Sequence, residues 1–426
     1  MSQVDVLVIT ALPLEFESAR AVSGDDVTWH EHDRHGPESY ISAELELADR
    51  RLTVALARPT AMSGRSTGPI ATALVKSLRP RCLAMSGVCA GNPADTAPGD
   101  VLIAAPAFQY DEGKQRGDEF LGDVQQFPLE DWWLRAVQSY DPAHLPSYGL
   151  ATEDETITWL LERLLLDQDP RTHPARRRYF PGGIWAPCLA QMEDGGLIVR
   201  QPNGQLALTV AGRDRIERTR YDDVDGPERL PFAVMAGPLA SGNAVMQDPA
   251  VWERLRRMGT RRILGLDMEA ATLATIAHQR EVPHWLIAKG VMDAAELQRG
   301  DRFKKFAARA SAEVLFDLLG MLLEPAEGRR RSDEHPGSDW APTASVAVTV
   351  PGQIKVEISR RLLYDWPDLA DHVGIPAFER VRFGQGEGPR SVWEWLEVRG
   401  RLGELPGALV AIGRDDLAAL LRHYLH

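Results

Sequence analysis

Along the first 114 residues, short uninterrupted apolar runs alternate with stretches whose apolar positions recur every three or four residues. Residues 4–10 (VDVLVIT) are apolar apart from Asp5 and the closing Thr10, the pattern of a strand buried on both faces. An amphipathic stretch follows from Leu14. The segments ISAELELA and RLTVALA, separated by Asp49-Arg50, predict a hairpin. Residues 66–78 predict a helix with Ile70, Leu74 and Leu78 on one face. Residues 82–86 predict a second buried strand ending in the glycine-bearing turn SGVCAGN, and residues 99–105 a third. The same texture returns over 231–323. There PFAVMAG, RRILGLD and HWLIAKG predict strands, and residues 249–258, 269–279 and 301–323 predict helices. Strands alternating with helices imply an α/β fold whose mostly parallel sheet is covered on both faces.

The block between, 115–230, reads differently. Residues 156–168 and 183–192 predict helices, LIVRQPNGQLALT a hairpin with Asn203-Gly204 as its tight turn, and residues 213–220 a closing helix. Helix, helix, hairpin, helix is a winged-helix-like order; the alternative is a structural insertion that caps or dimerises the rest. Residues 325–349 are polar and rich in Pro, Gly and Ser, as a linker is. The last block, 350–426, divides into IKVEISRRLLY, WPDLADHVG, SVWEWLEVRG and DDLAALLRHYL, which predict an all-α bundle. The expected domains are therefore 1–114 with 231–324, an insertion at 115–230, a linker at 325–349 and a helical domain at 350–426.

Composition narrows the function classes. The 426 residues are 44% hydrophobic and 26% charged, with a formal charge of −13, so whole-chain disorder and a general nucleic-acid-binding surface are both excluded. The insertion's few arginines (Arg176, Arg177, Arg178, Arg213, Arg215) make DNA an unfavoured partner. Cys82, Cys89 and Cys188 fit neither a disulfide framework nor zinc spacing, which points to a reducing, cytoplasmic setting. The N-terminus enters a strand-like run without a basic region or cleavage signal, and no stretch reaches the ~18 apolar residues of a membrane span.

In open parallel sheets ligands bind beyond the carboxyl ends of strands. Read that way, Glu15 follows the first strand, Val88, Cys89, Ala90 and Gly91 follow the strand near 83, Met268-Glu269 follow the one near 265, and Asp293 follows the last. Three carboxylates, Glu15, Glu269 and Asp293, are thus expected at one sheet edge, where Gly87 and Gly91 would admit backbone close to a ligand. No His or Cys cluster has metal-ligand spacing, so neither a metal nor another cofactor is expected.

The set LGLDMEAATLATIA, AKGVMDAAELQRGDRFKKFAARASAEVLFDLL, MSGVCAGNPADTAPGDVLIA and PLASGNAVMQD resembles the nucleoside phosphorylase and nucleosidase superfamily. The resemblance covers about 1–114 and 231–323. It implies a mixed sheet flanked by helices and a homodimer that acts on a purine nucleoside or nucleotide. It implies that Met268 lies under the ribose, that Glu269 accepts hydrogen bonds from the ribose hydroxyls, and that Asp293 protonates the departing base. The family's Ser-Asp is Met292-Asp293 here. Val245 stands where an aromatic often stacks on the base; Phe108, Tyr110 and Trp285 are candidates to replace it. Glu15 stands where phosphate-binding members carry arginine, and Met85-Ser86 where a second arginine is expected. A carboxylate takes a proton from water and repels phosphate, so Glu15 suits a hydrolase. As an alternative, Glu15 is a first-turn glutamate favourable to the helix dipole. A glycosidic bond breaking through an oxocarbenium-like state needs one acid to protonate the leaving group and one base to deliver water. Asp293, kept protonated by burial, and Glu15, kept ionised, would fill these roles. Arg58 and Arg65 would grip a 5′-phosphate, or are solvated arginines beside a turn. The C-terminal bundle resembles the death-like, effector-associated domains of bacterial conflict systems. That implies a protein partner with a matching domain and a role in anti-phage defence. The rival readings are a phosphate-dependent phosphorylase and an inactive nucleoside sensor acting through partners or DNA.

Overall fold

The computed structural model describes residues 3–34, 36, 38–48, 50–117, 119–122, 125–258, 262–297 and 300–323, and in the C-terminal part 355, 358–359, 361–362, 365–375, 380, 388–398 and 401–422. The chain forms two compact units, Met1–Arg331 and Ser332–His426.

The first unit is built on a ten-stranded mixed sheet. Its first strands are β1 (Val6–Ile9), β2 (His30–His32), β3 (Tyr40–Leu47), β4 (Arg50–Ala57), β5 (Cys82–Gly91) and β6 (Val101–Gln109). After the hairpin strands β7 (Gly113–Arg116) and β8 (Glu119–Gly122), the short β9 (Gln126–Phe127) pairs with β6. The sheet is completed by β12 (Val234–Ser241), β13 (Gly265–Asp267) and β14 (His284–Asp293), in the order β13-β12-β6-β14-β5-β1-β4-β3-β2. The continuous apolar runs have a simple cause. Successive side chains on a strand point to opposite faces, and both faces are covered. Val6, Val8, Cys82, Ala84, Ile103, Leu286 and Ala288 enter one core, with Phe306, Val314 and Leu318 of α10 (Lys304–Leu322). Their alternates Leu7, Ile9, Leu83, Met85, Leu102 and Ile287 enter a second core, with Leu74 of α2 (Gly64–Leu78) and Leu273 of α9 (Ala270–Gln279). Helix α10 lies so close to β14 that a Cβ on Gly290 would sit 2.1 Å from the Ala307 carbonyl oxygen.

Strand β5 is twice its expected length. The segment read as the turn SGVCAGN continues the strand to Gly91, and Ala90 and Gly91 pair antiparallel with β13. Since β13 also pairs with β12, β12 with β6, β6 with β14 and β14 with β5, five strands close on themselves. The hydrogen-bonding demand of the segment's backbone is thus met by β14 over residues 86–90, by β13 at Ala90 and Gly91, and by Glu15 at the Val88 amide, and not by a turn.

Between β9 and β12 the chain is mainly helical: α3 (Asp131–Gln138), α4 (Glu153–Leu165), α5 (Arg176–Tyr179), α6 (Trp185–Asp194) and α7 (Val210–Asp222), with the hairpin β10 (Ile198–Arg200) and β11 (Leu206–Leu208) before α7. Thr152 and Thr209 cap α4 and α7 by accepting the amides of Glu155 and Gly212. Residues 201–205 bridge the hairpin, so Asn203-Gly204 lie in a wider loop than a two-residue turn. Gly204 takes φ 81° there, and Asn203 Oδ1 accepts the Gln205 amide at 2.9 Å. Trp133 of α3 and Trp159 of α4 belong to the same core as the sheet.

In the second unit, α11 (Trp366–His372), α12 (Gly388–Val398), α13 (Leu405–Ala411) and α14 (Asp415–Arg422) surround a core that includes Leu369, Trp393, Leu396, Leu409 and Leu417. The sequence pattern treats the α13 segment as a Gly/Pro divider; Pro406 lies in its first turn, where its missing N–H costs nothing. The expected linker at 325–349 and much of IKVEISRRLLY lie outside the described residues.

Candidate active site

Strands β1, β5 and β14 are neighbours and mutually parallel, so their carboxyl ends share one edge. A cavity opens there, and Glu15, Glu269 and Asp293 all line it. Glu15 is 2% exposed. It lies in the first turn of α1 (Pro13–Ala21). Its Oε2 accepts the amides of Ala11 and Leu12 at 2.7 and 2.8 Å, and its Oε1 accepts the Val88 amide of β5 at 2.8 Å. Glu15 therefore both stands in the first turn of α1 and lines the cavity. Gly87 makes room for it: a Cβ there would stand 2.7 Å from Glu15 Oε1.

Glu269 precedes α9 and is buried. One carboxylate oxygen accepts the Ser63 amide at 2.8 Å and the other lies 3.4 Å from the Lys289 ammonium. Lys289, inside β14, is also 3.0 Å from Asp267. Asp267 accepts the Ser241 hydroxyl and the Ala270 amide. Burial pushes the Glu269 carboxyl up to about 7; Lys289 pulls against that shift, while Asp267 and Glu15 add to it. Burial alone would pull the Lys289 ammonium down, but Asp267 and Glu269, with Glu15, outweigh it and hold it above its ordinary range. Burial pushes the Cys89 thiol well up, so it lines the cavity as a neutral group.

Asp293 ends β14 at a bulge, where the register with β5 shifts between Val291 and Asp293. Bulges re-aim side chains. Its Oδ1 accepts the Ala295 amide at 3.0 Å. Met62, Met246, Met268 and Met292 give the cavity soft apolar walls, joined by Val88, Ala90 and Val245. Of the three candidate aromatics, Tyr110 lines the cavity. Phe108 is buried in a separate cluster and Trp285 packs against the core beneath the sheet.

Gly91 does not line this cavity but a smaller one behind Asp293. Arg58 and Arg65 also lie outside it: Arg58 donates to the Pro59 carbonyl and Arg65 is exposed. The sequence reading misses Lys289, Asp267, Tyr110's place and Lys304, which opens α10 at the cavity. The signal for Lys289 is a lysine in an otherwise apolar strand. Among the described residues no cluster of His, Cys, Asp and Glu is arranged to hold a metal, and no helix is long and apolar enough to cross a membrane.

Together these features place a buried cluster of carboxylates and one lysine at the edge of a mixed sheet. The comparisons with known proteins agree with the resemblance drawn from sequence. Residues 352–424 match the family model described as Bacterial Death-like domain 3. The chain is 24% identical over 325 residues to the uncharacterised protein y4jS of Sinorhizobium fredii, covering 75% of this chain and 62% of that one. It is 22% identical over 317 residues to the ATP nucleosidase Cap17 of Escherichia coli, covering 74% and 50%. The chain thus spans between half and two thirds of the length of these relatives. Similar solved structures include a 5′-methylthioadenosine/S-adenosylhomocysteine nucleosidase from Neisseria meningitidis, with 17% identity, TM-score 0.43, and 74% and 99% of the two chains covered. Another is futalosine hydrolase of Helicobacter pylori, with 14% identity, TM-score 0.44, and 74% and 97% covered.

Proposed function

We propose that the first unit hydrolyses the N-glycosidic bond of a purine nucleoside or nucleotide. The observation that carries this reading is the single cavity shared by Glu15, Glu269 and Asp293. In the reaction Glu15 takes a proton from water, the water oxygen bonds to the anomeric carbon, the carbon–nitrogen bond breaks, and Asp293 delivers its proton to the departing base. Glu269 accepts the ribose hydroxyls, Met268 packs under the sugar, and Val88, Cys89, Ala90 and Val245 shape the walls around sugar and base. Water is the acceptor because no arginine lines the cavity among the described residues, Lys289 is already engaged by two carboxylates, and Lys304 is paired with Asp301. Similarity to a protein named ATP nucleosidase makes ATP a substrate to test beside AMP and free nucleosides.

The second unit, by its death-like match, is an adaptor that binds a like domain on a partner protein and places the hydrolase in a cytoplasmic anti-phage response. The enzyme acts as a homodimer, and the block at 115–230 is an insertion in a catalytic domain made of 1–114 and 231–324. The test is chromatography of a panel of nucleosides and nucleotides incubated with the full chain, with and without inorganic phosphate. Free purine and free sugar in both conditions support hydrolysis. Base release that requires phosphate overturns it in favour of a phosphorylase. Binding without release overturns it in favour of a sensor.

A further inference from the structure

The segment that follows Asp293 is gripped at both ends by the helical block inserted between β9 and β12. At its start, Glu296 accepts the Ala294 amide at 3.2 Å and pairs with Arg220 of α7 at 3.3 Å; both side chains are largely buried. At its end, Arg302 is 3% exposed. It donates to both carboxylate oxygens of Glu155 on α4 and, at 2.6 Å, to Asp223 just past α7. The Arg302 backbone also presses on Gly226, where a Cβ would lie 2.0 Å from its carbonyl oxygen. Behind Asp293, the second cavity is walled by Glu162 and Arg163 of α4, Arg220 of α7, and Glu296 and Arg302. Asp293 therefore has the substrate cavity on one side and the inserted block on the other.

We propose that the inserted block is a positioning element for the acid, and that the Arg220–Glu296 pair is the link through which α7 holds the Asp293 backbone in place. This rests on the nucleosidase reading above. Neither Arg220 nor Glu296 lines the cavity at the strand ends; both act through the main chain at Ala294. A misplacement of about 1 Å costs roughly 10²-fold in rate. Only the step that needs Asp293 should suffer. A nucleoside whose purine must be protonated to leave depends on it. A p-nitrophenyl riboside, whose phenolate leaves without a proton, does not.

The experiment measures kcat and KM of the full chain and of its Arg220→Ala, Glu296→Ala and Arg220→Lys variants on a purine nucleoside and on p-nitrophenyl riboside. In Arg220→Ala and Glu296→Ala, purine-nucleoside kcat should fall on the order of 10–100-fold with KM little changed, while aryl-riboside turnover falls far less. Arg220→Lys, which keeps the charge, should recover most of the loss. Equal losses on both substrates, or none on either, overturn the inference. A melting profile for each variant identifies one that has merely failed to fold, and the remaining variant then decides. Failure of the wild type to release purine is a different result, and it overturns the hydrolase reading itself.

Discussion

Glu269 should make the first unit less stable as pH rises from about 4.5 to about 7. Its carboxyl is buried, and in the folded chain it holds its proton up to about 7, against 4.5 for an ordinary glutamate. The sign follows from linkage. Between those two values the folded state binds more protons than the unfolded state, so stability falls with increasing pH and levels off above the folded value. At 1.36 kcal/mol per unit, the difference sums to about 3 kcal/mol. Glu269→Gln keeps the shape and the Ser63 hydrogen bond, and leaves Lys289 its nearer partner, Asp267. It removes the titration. Urea unfolding of wild type and variant at pH 5, 6, 7 and 8, followed by hydrogen exchange of β5 and β14 amides so that only the first unit is read, gives the slope. The wild type should lose about 2 kcal/mol more than the variant across this range. Under the proposed function the same proton governs binding, since a carboxylate accepts two ribose hydroxyls better than an acid does. The wild type's KM should therefore drop as pH passes 7, and the variant's KM should be high and flat. Parallel pH slopes in the two proteins would refute the assignment of this burial penalty to Glu269.

Three further outcomes follow from the site. Glu15→Ala should slow base release by about 10²–10⁴-fold, the usual loss on removing a general base; unchanged rates in a steady-state assay would leave Glu15 only as the α1 cap. Gly87→Ala should push the Glu15 carboxylate off its Val88 amide, because the new Cβ would fall 2.7 Å from Oε1. A loss of activity with an intact far-ultraviolet circular dichroism spectrum is expected, and full activity would show that the carboxylate can move without consequence. Lys289→Met should strand Asp267 and Glu269 without their cation and destabilise the unit by about 3–5 kcal/mol. Denaturant melts read it, and a change below 1 kcal/mol would mean that protonation of the two acids replaces the lysine.

Much of this architecture is written in the order of apolar runs, because a strand covered on both faces has no polar side to break the run. The same property hides detail. In β5 the glycines read as a turn, yet Gly87 is there because Glu15 occupies the space a side chain would take. Nothing local in SGVCAGN reveals that its backbone is paired with two strands, β13 and β14, far later in the chain. Glu15 and Asp293 are legible because they stand at the ends of β1 and β14, which run parallel to β5 on either side of it, and Glu269 because it follows β13, which pairs with the end of β5. Arg58 and Arg65 flank a loop whose Met62 lines the cavity, yet neither arginine lines it, because proximity in sequence does not say which way a side chain faces. The hold of α4 and α7 on the segment after Asp293 was not legible at all. It depends on side chains such as Glu155 and Arg302, 147 positions apart.

Lys289 explains why so many acids can share one small space. Asp267, Glu269, Glu15 and Asp293 crowd the edge of the sheet, and like charges in a buried site oppose one another. The fold answers them with unlike partners. Asp267 and Glu269 share the buried ammonium, Glu15 is met by three backbone amides, and Asp293 by the Ala295 amide at the bulge. Acid–base pairs are made by giving carboxyl groups of one chemical type unlike surroundings. Here the strand ends supply the crowding, and a single lysine within β14, together with amides from α1 and β5, supplies the difference. Substituting any one of these partners should therefore alter its own carboxylate first. Loss of the lysine should act on sugar binding through Glu269, whereas displacement of the Val88 amide should act on water activation through Glu15. Kinetics that separate KM from kcat can tell these two effects apart.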